Sequence, residues 1–146
     1  MRVVASGKTR RDPNRVYRFQ GAQGQDLLLT TNGGPAVLLR NDGGNAQHAL
    51  VVRTIGTASN RDGIGARLRL ISSGRTQIRE IRSGSSYLSQ NDMRAHFGLG
   101  RAALVDRLEV RWPSGRTDVV TALTANQIVT VKEGEGVTGT DPFGSK

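Results

Sequence analysis

Side chains suited to ligand recognition are concentrated between residues 84 and 100. The segment contains two amides, a carboxylate, an imidazole and an aromatic ring, namely Gln90, Asn91, Asp92, His96 and Tyr87. Amides and carboxylates exchange hydrogen bonds with sugar hydroxyls, and an aromatic ring covers the apolar face of a sugar. One interpretation is therefore a carbohydrate-recognition surface. The other, which we favour, is that these side chains tie a long loop to the domain, with the His96 ring packed and its nitrogens satisfied internally.

A second candidate site is the turn Asn60-Arg61-Asp62-Gly63. Asn60 and Asp62 carry oxygens that bind a metal or a sugar when they are free. Asn and Asp in such turns more often hydrogen-bond their own backbone, while glycines supply the turn geometry. We expect the structural role to dominate here and keep Asn60 and Asp62 as hypothetical ligand-binding residues.

The sequence contains no complete catalytic constellation. His48 and His96 lack the spacing of a metal-binding pair, and no G-x-S-x-G motif is present. Asp92 with His96, or Asp92 with Asp106, can be combined on paper, but a chain with 12 acidic residues allows many such pairs. The absence of Cys excludes thiolate metal sites and a cysteine nucleophile. We therefore expect no enzymatic activity, no cofactor and no metal site.

Short strand patterns recur along most of the chain and must position these residues. Strands are expected at 48–54, 66–70, 76–82, 94–97, 104–112, 117–123 and 126–131. Ala66, Leu68 and Leu70 alternate with arginines, which predicts one buried and one solvated face. This spacing of strands is typical of an all-β protein, and we predict an antiparallel β-sandwich over residues 46–134.

The flanking segments have weaker patterns. Residues 26–45 contain a leucine-rich run and an Asn-Gly-Gly-Pro turn, which predict a β-hairpin packed on the sandwich because isolated hairpins are rarely stable. Residues 1–25 are expected to form a flexible basic leader. The alternative is that Val16, Tyr17 and Phe19 add an edge strand. The Gly-rich residues 135–146 are expected to form a flexible tail.

The net charge of +9 raises the question of nucleic-acid binding. Residues 1–25 hold six of the 21 basic side chains and one of the 12 acidic ones, so +5 of the charge lies in the leader. Most remaining arginines alternate with apolar residues as an ordinary solvated face, and the six aromatic residues offer little for base stacking. We expect no nucleic-acid partner. No apolar run reaches the ~18–20 residues of a membrane span, and residues 1–21 lack the apolar core of a signal peptide.

Several ordered motifs resemble one known family. They are residues 60–67, residues 84–92 followed by His96-Phe97-Gly98-Leu99-Gly100, Val105-Asp106, residues 110–115 and Ala125-Asn126-Gln127. Together these motifs are similar to the ASPIC/UnbV domain, and the resemblance covers about residues 46–134. In that family the domain usually follows a β-propeller of FG-GAP/VCBS repeats in secreted or cell-surface proteins. Residues 26–41 resemble the closing strands of such a repeat, although the acidic Ca²⁺-binding loop expected before them is missing.

The resemblance implies a binding module more than a defined reaction. We expect a non-catalytic module of an extracellular-type protein that recognises a carbohydrate or a protein partner. One alternative is an accessory domain of a biosynthetic enzyme system, since relatives occur in enediyne biosynthesis. Another is a purely structural cap for a β-propeller. Without its propeller, the chain would be expected to associate with itself through exposed strand edges.

Overall fold

The computed structural model of the chain describes residues 2–5, 16–21, 24–29, 35–40, 47–84 and 92–143. These residues belong to two compact units, one comprising residues 1–46 and 83–92 and the other residues 47–82 and 93–146. The described residues form strands, turns and bends, without a helix. Accordingly, no helix in this part of the chain is long and apolar enough to cross a bilayer.

The first unit is a four-stranded antiparallel sheet. Its strands are β1 (Arg2–Ala5), β2 (Val16–Gly21), β3 (Gly24–Leu29) and β4 (Val37–Arg40), in the order β1-β4-β3-β2. The hairpin expected from the leucine-rich run corresponds to β3 and β4, in which Leu28 lies opposite Leu38. Its turn lies outside the described residues.

The basic leader expected over residues 1–25 contributes to this sheet. It supplies β1 and β2, and β2 pairs with β3 along one edge of the sheet. This is the edge-strand alternative for residues 16–19. The physical reason is that β3 has backbone groups free on its outer side, and a neighbouring segment of extended chain satisfies them.

The second unit contains two sheets packed against each other. The first has the order β10-β9-β6-β7 and the second the order β12-β11-β5-β8. The strands are β5 (His48–Ile55), β6 (Arg67–Ser72), β7 (Arg75–Glu80), β8 (Ala95–Gly100), β9 (Leu104–Arg111), β10 (Thr117–Thr124), β11 (Gln127–Lys132) and β12 (Gly136–Pro142). The predicted all-β sandwich is confirmed. One neighbouring pair, β5 with β11, is parallel, so the second sheet is mixed.

The hydrophobic core lies between these two sheets. Both contribute fully buried side chains, including Leu50 and Phe97 from one sheet and Leu68 and Leu108 from the other. The predicted inward face of Ala66, Leu68 and Leu70 is confirmed, since all three have 0% exposure. Burying a side chain of this kind is worth about 1.5–3 kcal/mol, which makes the alternating pattern the main determinant of the fold.

The alternation in β9 changes phase near its start. Leu104 is 55% exposed, whereas its neighbour Val105 is buried. The regular pairing with β10 is interrupted at Ala122, which has a positive φ of 57°, so the inward side shifts by one residue. Asp106 is therefore exposed, and its carboxylate accepts a hydrogen bond from the Ser73 N–H at 3.0 Å.

Ile78 and Ile81 have different environments although the pairing of β6 with β7 is regular. The β6–β7 register runs without a shift between Arg67↔Glu80 and Ser72↔Arg75. Ile78 lies on the solvated face at 47% exposure, whereas Ile81 follows the end of β7 and is buried. The Ile81 N–H donates to the Ala66 carbonyl at 2.9 Å, which carries the chain back into the core.

The segment expected to form a flexible tail, residues 135–146, contributes a strand to the second sheet. Residues Gly136–Pro142 form β12, an edge strand paired antiparallel with β11. Sheet pairing uses backbone groups, so a segment rich in Gly and Thr pairs without an apolar pattern of its own. For this reason its sequence carried no strand signal.

Candidate functional site

Among the described residues of the second unit, the Glu133 carboxylate, directly after β11, accepts the most hydrogen bonds. One oxygen, Oε2, accepts the backbone N–H groups of Thr57, Ala58 and Ser59 at 2.8, 2.9 and 2.8 Å. The other, Oε1, accepts the hydroxyls of Ser59 and Ser114 at 2.9 and 2.5 Å. Glu133 is 3% exposed. We call these five residues the Glu133 cluster; it ties the loop after β5 and the turn before β10 to the end of β11.

These donors decide the charge of Glu133. Burial by itself raises the pKa of this carboxyl, but hydrogen bonds from Ser114, Ser59 and Thr57 outweigh it and lower the pKa from 4.5 to about 2. The group is therefore an ionised acceptor at neutral pH. With no proton to donate and its oxygens occupied by protein donors, it holds the loop in place.

The turn before β10 is fixed by a second set of hydrogen bonds. The Gly115 N–H donates to the Trp112 carbonyl at 3.0 Å, which closes a four-residue turn. The Trp112 Nε1–H donates to Asp118 Oδ2 at 2.7 Å, and the Gly134 N–H donates to the same oxygen at 2.8 Å. Trp112 is 2% exposed, so its ring belongs to the core and does not form a surface platform.

The loop containing Asn60 and Asp62 is held by its own backbone. Asn60 Oδ1 accepts the Asp62 N–H at 3.0 Å, and the Thr54 hydroxyl donates to the Asp62 carbonyl at 3.0 Å. Gly63 has a φ of +70°, and a Cβ at this position would lie 2.4 Å from Thr54 Oγ1 and 3.3 Å from the Trp112 ring. Only glycine fits this close approach, which fixes the path of residues 60–63.

The same loop leaves two polar groups exposed. The Asp62 carboxylate and the Asn60 Nδ2 group make no hydrogen bond or ion pair within the part of the chain that the structure describes. Both residues are exposed. The loop therefore presents a carboxylate acceptor and an amide donor on a constrained backbone.

The other predicted site residues are in the segment between β7 and β8. Tyr87, Gln90 and Asn91 lie outside the described residues. Asp92 is exposed and His96 is half-buried on β8, and each has an interaction partner. Among the predicted site residues, the structure thus brings Asn60 and Asp62 together on one loop.

Sequence reasoning missed Glu133 and its partners. Glu133 is separated by 76 residues from Thr57 and by 19 from Ser114, so no local spacing links them. The available signals were indirect: a glycine-rich loop from Gly56 to Gly65, a Trp-Pro-Ser-Gly turn, and an acidic residue directly after a strand. The pairing of β5 with β11 brings the loop after β5 beside Glu133, and the packing of the two sheets brings the turn between β9 and β10 to the same carboxylate.

The family comparison matches this part of the molecule. The family model described as ASPIC and UnbV matches residues 56–138, which include loop 56–63, the turn at 112–115 and Glu133. A search of curated proteins finds no match to the chain. The family match spans more than half of the 146 residues. The chain therefore belongs to the ASPIC and UnbV family.

Proposed function

We propose that this protein is a non-catalytic binding or interaction module of an extracellular-type protein that recognises a carbohydrate or a protein partner. The supporting observation is the loop at residues 56–63. It is held by Glu133, Thr54 and Trp112, yet it leaves the Asp62 carboxylate and the Asn60 amide exposed. A constrained loop loses little entropy when it binds, so its polar groups contribute more of their interaction energy to affinity.

The non-catalytic part of the proposal is supported by Glu133. A general acid or base needs a pKa near the working pH and room for a substrate at its oxygens. The pKa of Glu133 is about 2, and five protein donors occupy its carboxylate. Its role is to position the loop.

The segment between β7 and β8 is a separate candidate recognition site in this proposal. Tyr87, Gln90, Asn91, Asp92 and His96 have the side-chain chemistry of sugar recognition: planar donors and acceptors beside an aromatic ring. They are proposed as an alternative to the loop at residues 56–63.

A binding screen of the full chain against immobilised glycans and divalent metals tests the proposal. We expect a glycan ligand whose affinity falls about tenfold or more in Asp62→Ala, because a hydrogen bond to a charged group is lost. Asp141→Ala is the matched control, since it also removes an exposed aspartate from the same unit. Asp92→Ala tests the second segment in the same assay.

Two results would contradict the proposal. Equal binding by the Asp62→Ala and Asp141→Ala variants would show that the loop at residues 56–63 is not the site. Hydrolysis or other turnover of a bound glycan by the purified chain would refute the non-catalytic assignment.

A structural cap for a β-propeller is the second candidate, and one observation favours it. The first unit contains a four-stranded antiparallel sheet, and four strands make one propeller blade. We propose that this unit derives from an FG-GAP/VCBS-type repeat, which residues 26–41 resemble. A cap predicts association through the unpaired edges of this sheet. Light scattering would then give a mass above that of the monomer; a monomeric mass at high concentration would contradict self-association.

A further inference from the structure

We infer that the solvent-facing side of sheet β10-β9-β6-β7 binds an acidic polysaccharide, with Arg67 and Arg111 as its central contacts. The inference rests on the proposed function, because it names the ligand class of a binding module. It concerns a different surface from the loop at residues 56–63, so the two are separable by mutation.

The side chains of this face follow from the strand register. Those opposite the core are Thr117, Val119 and Thr121 on β10, Arg107, Glu109 and Arg111 on β9, Arg67, Arg69 and Ile71 on β6, and Thr76, Ile78 and Glu80 on β7. We call these twelve residues the arginine face. Four arginines against two glutamates leave it with a net charge of +2. Ten of the twelve are exposed, and Glu109 and Ile71 are half-buried.

Two of these arginines lie directly opposite each other. Arg67 on β6 and Arg111 on β9 are register partners in an antiparallel pair. Directly opposite residues of such a pair have Cβ atoms roughly 4.5–5.5 Å apart, and like charges in that position repel. The sheet therefore holds two positive charges together at a cost in stability.

The acidic residues of the face do not relieve this repulsion fully. Glu109 accepts hydrogen bonds from Arg107 at 2.7 Å and Arg69 at 3.4 Å. Glu80 accepts one from Arg82 at 2.5 Å. Both carboxylates are thus engaged by arginines outside the opposed pair.

Arg67 is left to share Glu80, its register partner on β7, with Arg82. Arg111 has no ion-pair partner among the described residues, and its other cross-strand neighbour is the uncharged Thr117. A guanidinium carries five N–H donors in a planar fork that matches carboxylate, sulfate and phosphate oxygens. One anionic group placed between Arg67 and Arg111 accepts hydrogen bonds from both and offsets the repulsion between their charges.

The other features of the face favour a polysaccharide as the source of that anion. Strands β6, β7, β9 and β10 contain no aromatic residue, so nucleobases find no stacking platform. Exposed Ile78 and Val119 lie on opposite outer strands with Glu109 and Arg69 between them. They do not form the continuous apolar centre typical of a protein interface. The face instead offers guanidinium groups beside threonine hydroxyls, which suit the acidic groups and hydroxyls of sugars.

Affinity measurements on the full chain test this inference. The probes are heparin as a sulfated polysaccharide, polygalacturonate as a carboxylated one, and dextran as a neutral one. Polyglutamate and single-stranded oligothymidylate represent acidic peptide and nucleic acid. The variant is Arg67→Gln/Arg111→Gln. Its matched control, Arg53→Gln/Arg101→Gln, removes the same charge from exposed positions off the arginine face.

We expect salt-sensitive binding of heparin or polygalacturonate, and the preferred probe distinguishes sulfate from carboxylate. Affinity should fall about tenfold or more in Arg67→Gln/Arg111→Gln and much less in the control. The variant is expected to melt no lower than the wild type, because it removes a repulsive pair. The wild type should also melt higher with polysaccharide present, an increase that the variant lacks.

Several results would overturn the inference. Equal losses of affinity in the two double variants would show that only the net charge of the chain matters. Binding of dextran as tight as that of the acidic polysaccharides would show that the anionic groups play no part. Tighter binding of polyglutamate or oligothymidylate would assign the face to another ligand class. Loss of binding in Asp62→Ala with none in Arg67→Gln/Arg111→Gln would leave the proposed function standing without the arginine face. The reverse pattern would support the arginine face and not the loop.

Discussion

Replacing Glu133 tests whether one carboxylate holds the loop at residues 56–63 in place. Glu133→Ala leaves three backbone N–H groups and two hydroxyls without their acceptor. Glu133→Gln keeps the shape and one acceptor oxygen, and its NH₂ group can donate to the serine hydroxyls, which also accept. The alanine variant should therefore be destabilised more than the glutamine variant.

The structure also limits the size of this effect. Thr57 and Ala58 are exposed, so water can replace part of the hydrogen bonding that their N–H groups lose. Glu133 itself is 3% exposed, so water replaces its carboxylate less well for the other donors. We expect Tm to fall by roughly 10 °C in Glu133→Ala and by about half as much in Glu133→Gln. Glu135→Ala is the matched control: it removes a carboxylate that forms an exposed ion pair with Lys132 at 2.5 Å. Such pairs contribute little, so its Tm should stay within a few degrees of the wild type.

The pH dependence gives a second measure. The pKa of Glu133 is about 2 in the folded chain, below its ordinary value of 4.5, so the unfolded chain takes up this proton first on acidification. The stabilisation is therefore fully present above pH 4.5 and is lost as the pH falls toward 2. The Tm difference between wild type and Glu133→Gln should shrink over this range. The other carboxylates titrate in both proteins, so their contributions largely cancel.

Thermal melts followed by circular dichroism between pH 2 and 7 supply both measurements. If Glu133→Ala and Glu135→Ala melt alike at pH 7, Glu133 does not hold the loop. A Tm difference between wild type and Glu133→Gln that stays constant down to pH 2 would show that the charge of Glu133 is not what its donors stabilise.

The remaining predictions concern the backbone and the turn beside this cluster. Gly63→Ala should destabilise the fold by about 2 kcal/mol more than Gly74→Ala. Both glycines have positive φ, but a Cβ at Gly63 would lie 2.4 Å from Thr54 Oγ1, whereas a Cβ at Gly74 would have no atom within 4 Å. Urea denaturation measures the free energy of unfolding, and equal losses in the two variants would contradict the clash. Trp112→Phe should lose about 2–3 kcal/mol, because it removes both buried volume and the N–H donor to Asp118. Urea unfolding followed by circular dichroism measures it, and a loss below about 0.5 kcal/mol would show that the turn does not depend on this bond.

The sandwich could be predicted from the sequence where burial alone sets the pattern. At the start of β6, every second side chain from Ala66, just before the strand, to Leu70 is fully buried, and the alternation of apolar residues and arginines predicts this directly. β12 could not be predicted in the same way, because an edge strand is held by backbone pairing and few of its side chains face the core. The exposure of Leu104 could not be predicted either, since it depends on the backbone irregularity at Ala122 in the neighbouring strand.

The candidate site could be predicted only in part. The local turn chemistry of Asn60 and Asp62 follows from residue type, because their mutual bond spans two residues. The role of Glu133 depends on a parallel strand pair that joins distant segments, and residue type does not encode that pairing. Likewise, the alternating arginines indicated a solvated face, but only the register places Arg67 opposite Arg111.

The most direct test of the proposed binding function is an NMR titration of the isotope-labelled full chain with the glycan that binds best. The proposal predicts shifts of the backbone amide signals of residues 60–63, with the glycan recovered intact. Shifts confined to the arginine face would show that the glycan binds that sheet and that the loop at residues 60–63 takes no part in binding. Appearance of product signals from the glycan would contradict the central claim that this family member binds without catalysing a reaction.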